Sequence, residues 1–237
     1  MKIVKFINKV LHRFNAQLIR YPSIDIERRM KLMNYLKIDC VLDVGANVGN
    51  YSKELKQLGY KGKIISFEPL SSAFKKLKKL SSNYDNWIVY NCALGNKRDV
   101  EVINVSANSD SSSLLNMLPL HLKNAPNSNY ISSEKIKIEK LDALFNQFCK
   151  PTDNIFLKID TQGYEKKVLD GANESLKMIK AIQLEMSINV LYEDSLNYKD
   201  LTSYVENFGF KLVSIENGFS NPITGELLQF DGIFIKV

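Results

Sequence analysis

Apolar and polar positions follow two rhythms along this chain. Short apolar runs of strand character fall at Cys40–Val44, Lys63–Phe67, Trp87–Asn91, Ile155–Ile159, Ala181–Ser187, Phe210–Ile215 and Gln229–Val237. Between them, apolar residues recur at helical spacing over Tyr51–Leu58, Ser71–Leu80, Tyr164–Ile179 and Tyr198–Asn207. That alternation predicts an α/β fold wound around a mostly parallel sheet, with helices on both faces. No helical period separates the last two runs. Asn221-Pro222-Ile223-Thr224-Gly225 reads instead as a hairpin turn, which makes one strand antiparallel.

Two segments fall outside this rhythm. Residues 99–139 hold strand-like Val100–Val105 and Lys135–Glu139 around a polar stretch from Ser106 to Ser133. Long insertions of this kind are usually lids or binding walls, and the acceptor wall is expected here. His121 lies in that stretch and reads as a solvated loop histidine. The N-terminus is the other exception. Ile3, Phe6, Ile7, Val10, Leu11, Phe14 and Leu18 form one helical stripe, flanked by Lys2, Lys5, Lys9 and Arg13. The favoured reading is a helix that covers the core or meets a second copy of the chain. The alternative is peripheral contact of residues 1–20 with an anionic membrane surface. Residues 1–38 therefore read as a helical extension, and 39–237 as one domain with an insertion at about 104–133.

Composition narrows the picture only slightly. A chain of 237 residues, 45% hydrophobic and 24% charged, buries a full core as one domain. A net charge of +6 and a pI near 9.0 admit an anionic partner without choosing between glycan, membrane and nucleic acid. Cys40, Cys92 and Cys149 are odd in number and lack metal or redox spacing, which suits a reducing, cytoplasmic compartment, with the inner membrane face as the peripheral alternative. No apolar stretch is long enough to cross a bilayer.

The candidate chemistry starts where the first apolar run enters a glycine turn, Asp43-Val44-Gly45-Ala46-Asn47-Val48-Gly49-Asn50-Tyr51. The second run ends on Glu68, placed about 20 residues on to accept hydrogen bonds from ribose hydroxyls. Asn47 stands where a dinucleotide fingerprint has its middle glycine, and Asp43 would repel a pyrophosphate. Both features favour S-adenosylmethionine, whose amino-acid portion is cationic and carries no phosphate, over NAD. A ligand-free βα turn would leave the position of Glu68 unexplained.

The richest later strand end is Asp160-Thr161-Gln162-Gly163-Tyr164-Glu165. Ligands of open α/β sheets bind at the carboxyl ends of the strands, so Asp160 and Glu165 are candidate catalytic groups. Glu165 also suits a helix N-terminus. The neighbouring run adds Gln183 and Glu185, polar groups in what should be an apolar strand.

Taken in order, these motifs resemble the FkbM family of S-adenosylmethionine-dependent methyltransferases across about residues 28 to 237. The matching pieces are Val41 to Gly49, Ser66 to Pro69, Ala93 to Gly95, Ser112 to Leu114, Leu157 to Glu165 and Leu184-Glu185. The resemblance implies a class I, Rossmann-like methyltransferase sheet of seven strands with the last pair antiparallel. It also implies O-methylation, often of sugar hydroxyls in glycans, glycolipids or secondary metabolites. By the same resemblance, Asp43, Gly45, Asn47, Gly49, Asn50 and Tyr51 would surround the methionine part, Glu68 the ribose, and Ala93 and Leu94 the adenine. Asp160, Glu165 and Glu185 would face the methyl group, with Asp160 as base. The Asp160–Glu165 segment also resembles magnesium-dependent macrolide-sugar O-methyltransferases. Their later adjacent acidic pair has no counterpart here, so a divalent ion on Asp160 and Glu185 is a secondary expectation. An NAD-linked oxidoreductase lacks any Tyr-x-x-x-Lys signature in this chain. A nucleic-acid methyltransferase lacks a basic-aromatic cluster, so no nucleic-acid partner is expected. The remaining class is a non-catalytic membrane-surface protein that keeps the fold.

Overall fold

The computed structural model describes residues 2–237; the side chains of Lys2, Ile3 and Lys5 lie outside the described residues. Among the described residues the strands are β1 (Cys40–Val44), β2 (Lys63–Phe67), β3 (Trp87–Tyr90), β4 (Ala93–Leu94), β5 (Asp99–Ser106), β6 (Tyr130–Glu139), β7 (Ile155–Ile159), β8 (Ile179–Ser187), β9 (Phe210–Asn217) and β10 (Gln229–Lys236). The helices are α1 (Lys2–Leu11), α2 (Ile24–Tyr35), α3 (Asn50–Gln57), α4 (Ser71–Ser81), α5 (Pro119–Asn124), α6 (Leu141–Phe148), α7 (Glu165–Asp170) and α8 (Tyr198–Glu206).

The main sheet runs β3-β2-β1-β7-β8-β10-β9. Every pairing is parallel except those of β10, which is antiparallel to both β8 and β9. The predicted hairpin is therefore real. The order reverses between β1 and β7, and a crevice opens there in sheets of this kind. Central strands read as continuous apolar runs because helices cover both faces. Leu42, Val44, Leu157 and Ile159 bury themselves against α6, α7 and α8, through Phe145, Val168 and Val205. Val41, Ile64 and Phe156 face Met33 of α2, Leu55 of α3 and Leu77 of α4.

The polar insertion is more ordered than its composition suggests. β4, β6 and β5 form a second sheet, and α5 lies within the stretch between β5 and β6. Tyr192, fully buried beyond β8, pins that stretch from the main-sheet side, with Leu115, Met117 and Leu120 packed nearby.

Three expectations need correction. The helix foreseen over Tyr164–Ile179 ends at Asp170, with only a 3-10 turn at Ser175–Lys177. Gly171 passes so close to Gly95 that a Cβ would sit 1.9 Å from its carbonyl oxygen, and the chain must turn there. α6 was not foreseen, although Leu141, Phe145 and Phe148 keep helical spacing and all three are buried. The N-terminal stripe does not cover the core: Phe6 is 71% and Phe14 76% exposed, and Val4, Ile7, Val10 and Leu18 are exposed as well.

Candidate active site

β1 ends in a turn whose backbone demands unusual residues. Gly45 has φ +75°, and a Cβ there would stand 1.8 Å from the carbonyl oxygen of Asp160. Only glycine lets the ends of β1 and β7 approach so closely. The N–H groups of Gly45 and Ala46 donate to the Phe67 carbonyl at 3.1 and 3.0 Å, tying this turn to β2. Asn47 has φ +46°, and asparagine is one of the few other residues that adopts the left-handed region readily. That accounts for asparagine where a glycine was expected.

Glu68 is buried at the end of β2. Its Oε2 accepts the Asn47 N–H and its Oε1 accepts the Leu70 N–H, each at 2.8 Å. Each oxygen keeps a further lone pair for an incoming hydroxyl. Burial pushes its carboxyl up to about 7, against the pull of those two donors.

The end of β7 forms the opposite wall. Asp160 accepts from Lys158 Nζ at 3.2 Å on Oδ2 and from Gln162 Nε2 at 2.9 Å on Oδ1. The same Gln162 nitrogen donates to Glu185 Oε2 at 2.9 Å, so one amide clamps the two carboxylates. Gln162 itself is held at φ +56°, a backbone state that costs a non-glycine residue roughly 1 kcal/mol or more. Its surroundings impose it: Tyr192 donates to its Oε1 at 2.7 Å, and Ser113 donates to its carbonyl at 2.7 Å. Strain held by four hydrogen bonds at a strand end marks a functional position. Burial raises Glu185 well above the ordinary carboxylate range, reinforced by Asp160, Glu165 and Asp231. Asp231, opposite Glu185 on β10, is pushed up to about 7, chiefly by burial.

Glu68, Asp160, Gln162 and Glu185 share a crevice of about 290 Å³ at the reversal point of the sheet. Gly45, Asn47, Glu68, Ala93, Leu94, Asp160 and Glu185 all line it, as expected. Leu70, Ile103 and Leu114 give it apolar walls, and Ser109, Asp110 and Ser112 of the insertion close one side.

Several expected site residues lie elsewhere. Asp43 is fully buried on the other face of the sheet, where it accepts Ser52 Oγ at 2.6 Å and Ser66 Oγ at 3.3 Å, with Lys158 Nζ 3.7 Å away. Strand alternation sends it toward α3, so it braces the turn from beneath. Gly49 caps α3 at φ +90° against Leu77, Leu80 and Trp87, and Asn50 is exposed; neither lines the crevice. Tyr51 donates to Gln183 Oε1 at 2.9 Å, under Arg29 at 4.7 Å and Lys158 at 5.4 Å. Tyr51 and Gln183 belong to a structural network that continues from Gln183 to Glu216 and from Arg29 to Glu54. Glu165 folds back, and its Oε1 accepts the N–H groups of Thr161 and Gly163 at 2.9 and 3.1 Å. It closes the turn and does not face the crevice. Burial lifts it to about 6.

Other residues were missed. Lys158 orients Asp160, and a lysine inside an apolar strand was the available signal. Asp110, which accepts from Asn47 Nδ2, carried no signal. His121 is not solvated: it is 3% exposed, its ring edge-on to Tyr192. Asp160 and Glu185 are joined by an amide donor, which suits a divalent ion poorly. Among the described residues the cluster with converging metal-type ligands is Cys40, Cys149 and Asp153, away from the crevice, and Lys63 already pairs Asp153 at 3.2 Å.

Comparison with known proteins agrees with this architecture. A family profile described as "Methyltransferase FkbM domain" matches residues 43–212. No curated protein matches the chain. Among solved structures, the methyltransferase FkbM of Methylobacillus flagellatus KT superposes with a TM-score of 0.50 at 15% identity, over 82% of this chain and 43% of that one. An rRNA methylase from Streptococcus thermophilus gives a TM-score of 0.51 at 11% identity, over 92% and 99%. TehB from Haemophilus influenzae gives 0.50 at 9%, over 96% and 65%. At these identities the likeness is one of fold. This chain spans less than half the length of the FkbM methyltransferase structure.

Proposed function

This chain belongs to the FkbM methyltransferase family, and from that premise we propose that it is an S-adenosylmethionine-dependent methyltransferase that methylates a hydroxyl oxygen, on a sugar of a glycan, glycolipid or secondary metabolite. One observation carries the reading: Asp160 and Glu185, clamped by Gln162, face the cofactor crevice.

The crevice residues fit the cofactor. Glu68 has free lone pairs for two ribose hydroxyls, and Phe67, Leu70, Ala93, Leu94 and Ile103 offer apolar surface for a base. Asp110, Asp160 and Glu185 favour an ammonium and a sulfonium in the same space. When bound, S-adenosylmethionine supplies a methyl group on an electrophilic sulfur. The protein's own task is then alignment and proton removal. Asp160 would accept the proton of the acceptor hydroxyl. Lys158 and Gln162 hold that carboxylate in place, and Glu185 borders the same floor.

The test is methyl transfer from methyl-labelled S-adenosylmethionine to a panel of glycosides, nucleosides and amines. The expected product is a base-stable methyl ether on a glycoside. Label on nitrogen, or a base-labile ester, would overturn the hydroxyl assignment.

A further inference from the structure

Behind the carboxylate clamp lies a second cavity, of about 230 Å³, which shares Asp110, Gln162 and Glu185 with the cofactor crevice. Glu185 lines it as well, whereas Ala93 and Leu94 do not. Its inner wall is His121, held between Tyr192 at 5.2 Å and Phe219 at 5.8 Å between ring centroids. His121 is 3% exposed, and its buried Nδ1 has no hydrogen-bond partner. A buried polar atom left unpaired is costly, so this nitrogen is open to a proton donor. Burial lowers the histidine's pKa, and a neutral imidazole offers one nitrogen as an acceptor.

The remaining polar groups are largely spent. Asn108 bonds Ser111 and Ser128, which bond each other at 3.1 Å. They form a fixed wall. The lining residues include Asp110 and Glu185 but no lysine or arginine, so a phosphate or carboxylate would find repulsion without compensation. Phe219 adds an apolar face.

We propose that this cavity is the acceptor subsite and that it takes a neutral hydroxylated ring, a sugar residue, whose hydroxyl donates to His121 Nδ1 while a neighbouring hydroxyl is presented to the Asp160–Glu185 clamp. His121 is here a positioning residue that selects hydroxyl-bearing rings. The assignment rests on the methyltransferase reading above and deepens it.

Saturation-transfer NMR tests it, with the full chain saturated by S-adenosylhomocysteine and methyl α-glycosides of glucose, galactose and rhamnose as probes. Saturation of ring protons is expected, weakened about fivefold or more in His121→Ala and restored in His121→Asn, whose Oδ1 takes the place of Nδ1. S-adenosylhomocysteine affinity should stay unchanged in both. Phe219→Leu, at the cavity rim, keeps the test open if His121→Ala does not fold. No glycoside saturation while S-adenosylhomocysteine binds, or equal saturation in His121→Ala, would overturn the subsite alone. Failure of the wild-type chain to bind S-adenosylhomocysteine would instead overturn the reading beneath it.

An independent observation concerns the opposite end of the chain. From residue 1 to 24 there are five lysines and arginines (Lys2, Lys5, Lys9, Arg13 and Arg20) and no carboxylate. The same segment leaves Phe6, Ile7, Val10, Phe14, Leu18 and Ile19 exposed. A basic helix with an uncovered apolar stripe matches an anionic lipid surface in both charge and hydrophobicity. We infer that α1 lies on an anionic bilayer, where it would bring the enzyme to lipid-linked acceptors. Co-sedimentation of the full chain with phosphatidylcholine vesicles, with and without phosphatidylglycerol, is the test. Binding is expected only with phosphatidylglycerol, and is lost in Phe6→Ser/Phe14→Ser and weakened in Lys9→Glu/Arg13→Glu. Equal binding by the stripe variant, no binding by the wild type, or a dimer in sedimentation velocity that the stripe variant abolishes, would overturn it.

Discussion

Glu68 and Asp160 divide the work of the crevice, and separate variants should divide it too. Glu68→Ala removes the acceptor proposed for the ribose hydroxyls and the anchor of the Asn47 turn. S-adenosylmethionine affinity, measured by calorimetry, should fall roughly tenfold or more. Asp160→Asn keeps the shape and removes the proposed base. Cofactor affinity should stay within a few fold, while kcat falls about a hundredfold or more. Unchanged turnover would move the base to Glu185. At this scale the sequence was half legible. Glycine and asparagine at positive φ, and acids at strand ends, can be recognised from spacing alone. Asp43 and Tyr51 could not be placed, because which face a strand residue takes depends on registers such as Asp43 opposite Lys158. His121 was misread for a similar reason: Tyr192 and Phe219, which bury it, lie far along the chain.

At the level of elements, the β1 and β7 ends lock through one contact. Gly45→Ala places a methyl on the Asp160 carbonyl in a left-handed backbone, so the strands must part. A loss of several kcal/mol in chemical denaturation is expected, with cofactor binding abolished; near-wild-type stability would show that the turn can relax. Helix α2 is fastened by Arg29, 4% exposed, to Glu54 at 2.6 Å and Glu216 at 3.6 Å. Removing one partner of a buried ion network strands the others, so Arg29→Ala should cost about 3 kcal/mol in the same assay. Five of the seven sheet strands were foreseen to within a residue at each end, because buried parallel strands are continuous apolar runs. The break after α7 was hidden, since it follows from Gly171 meeting Gly95 across the molecule.

Across the whole molecule, Glu68 and Asp231 at about 7 and Glu165 at about 6 are all raised, chiefly by burial. The folded chain therefore holds protons that the unfolded chain releases above the ordinary carboxylate range. Stability from this source is full below about pH 4, where the unfolded carboxyls are also protonated, and is lost as pH rises through about 7. The lowered Glu27 and Asp99 act in the opposite sense, but both are screened surface groups. Thermal melts of the cofactor-free chain should show a Tm that falls between about pH 4 and pH 7. Asp231→Asn, neutral throughout, should flatten that fall; an unchanged slope would show that Asp231 does not titrate there.

The two hollows meet at three polar side chains, Asp110, Gln162 and Glu185, not at a slab of packed carbon. On the proposed reading the two chambers change independently: residues around His121 can be exchanged for a new guest while the nucleoside berth assigned to Glu68 stays as it is. One scaffold can thus serve many customers through remodelling of a single room.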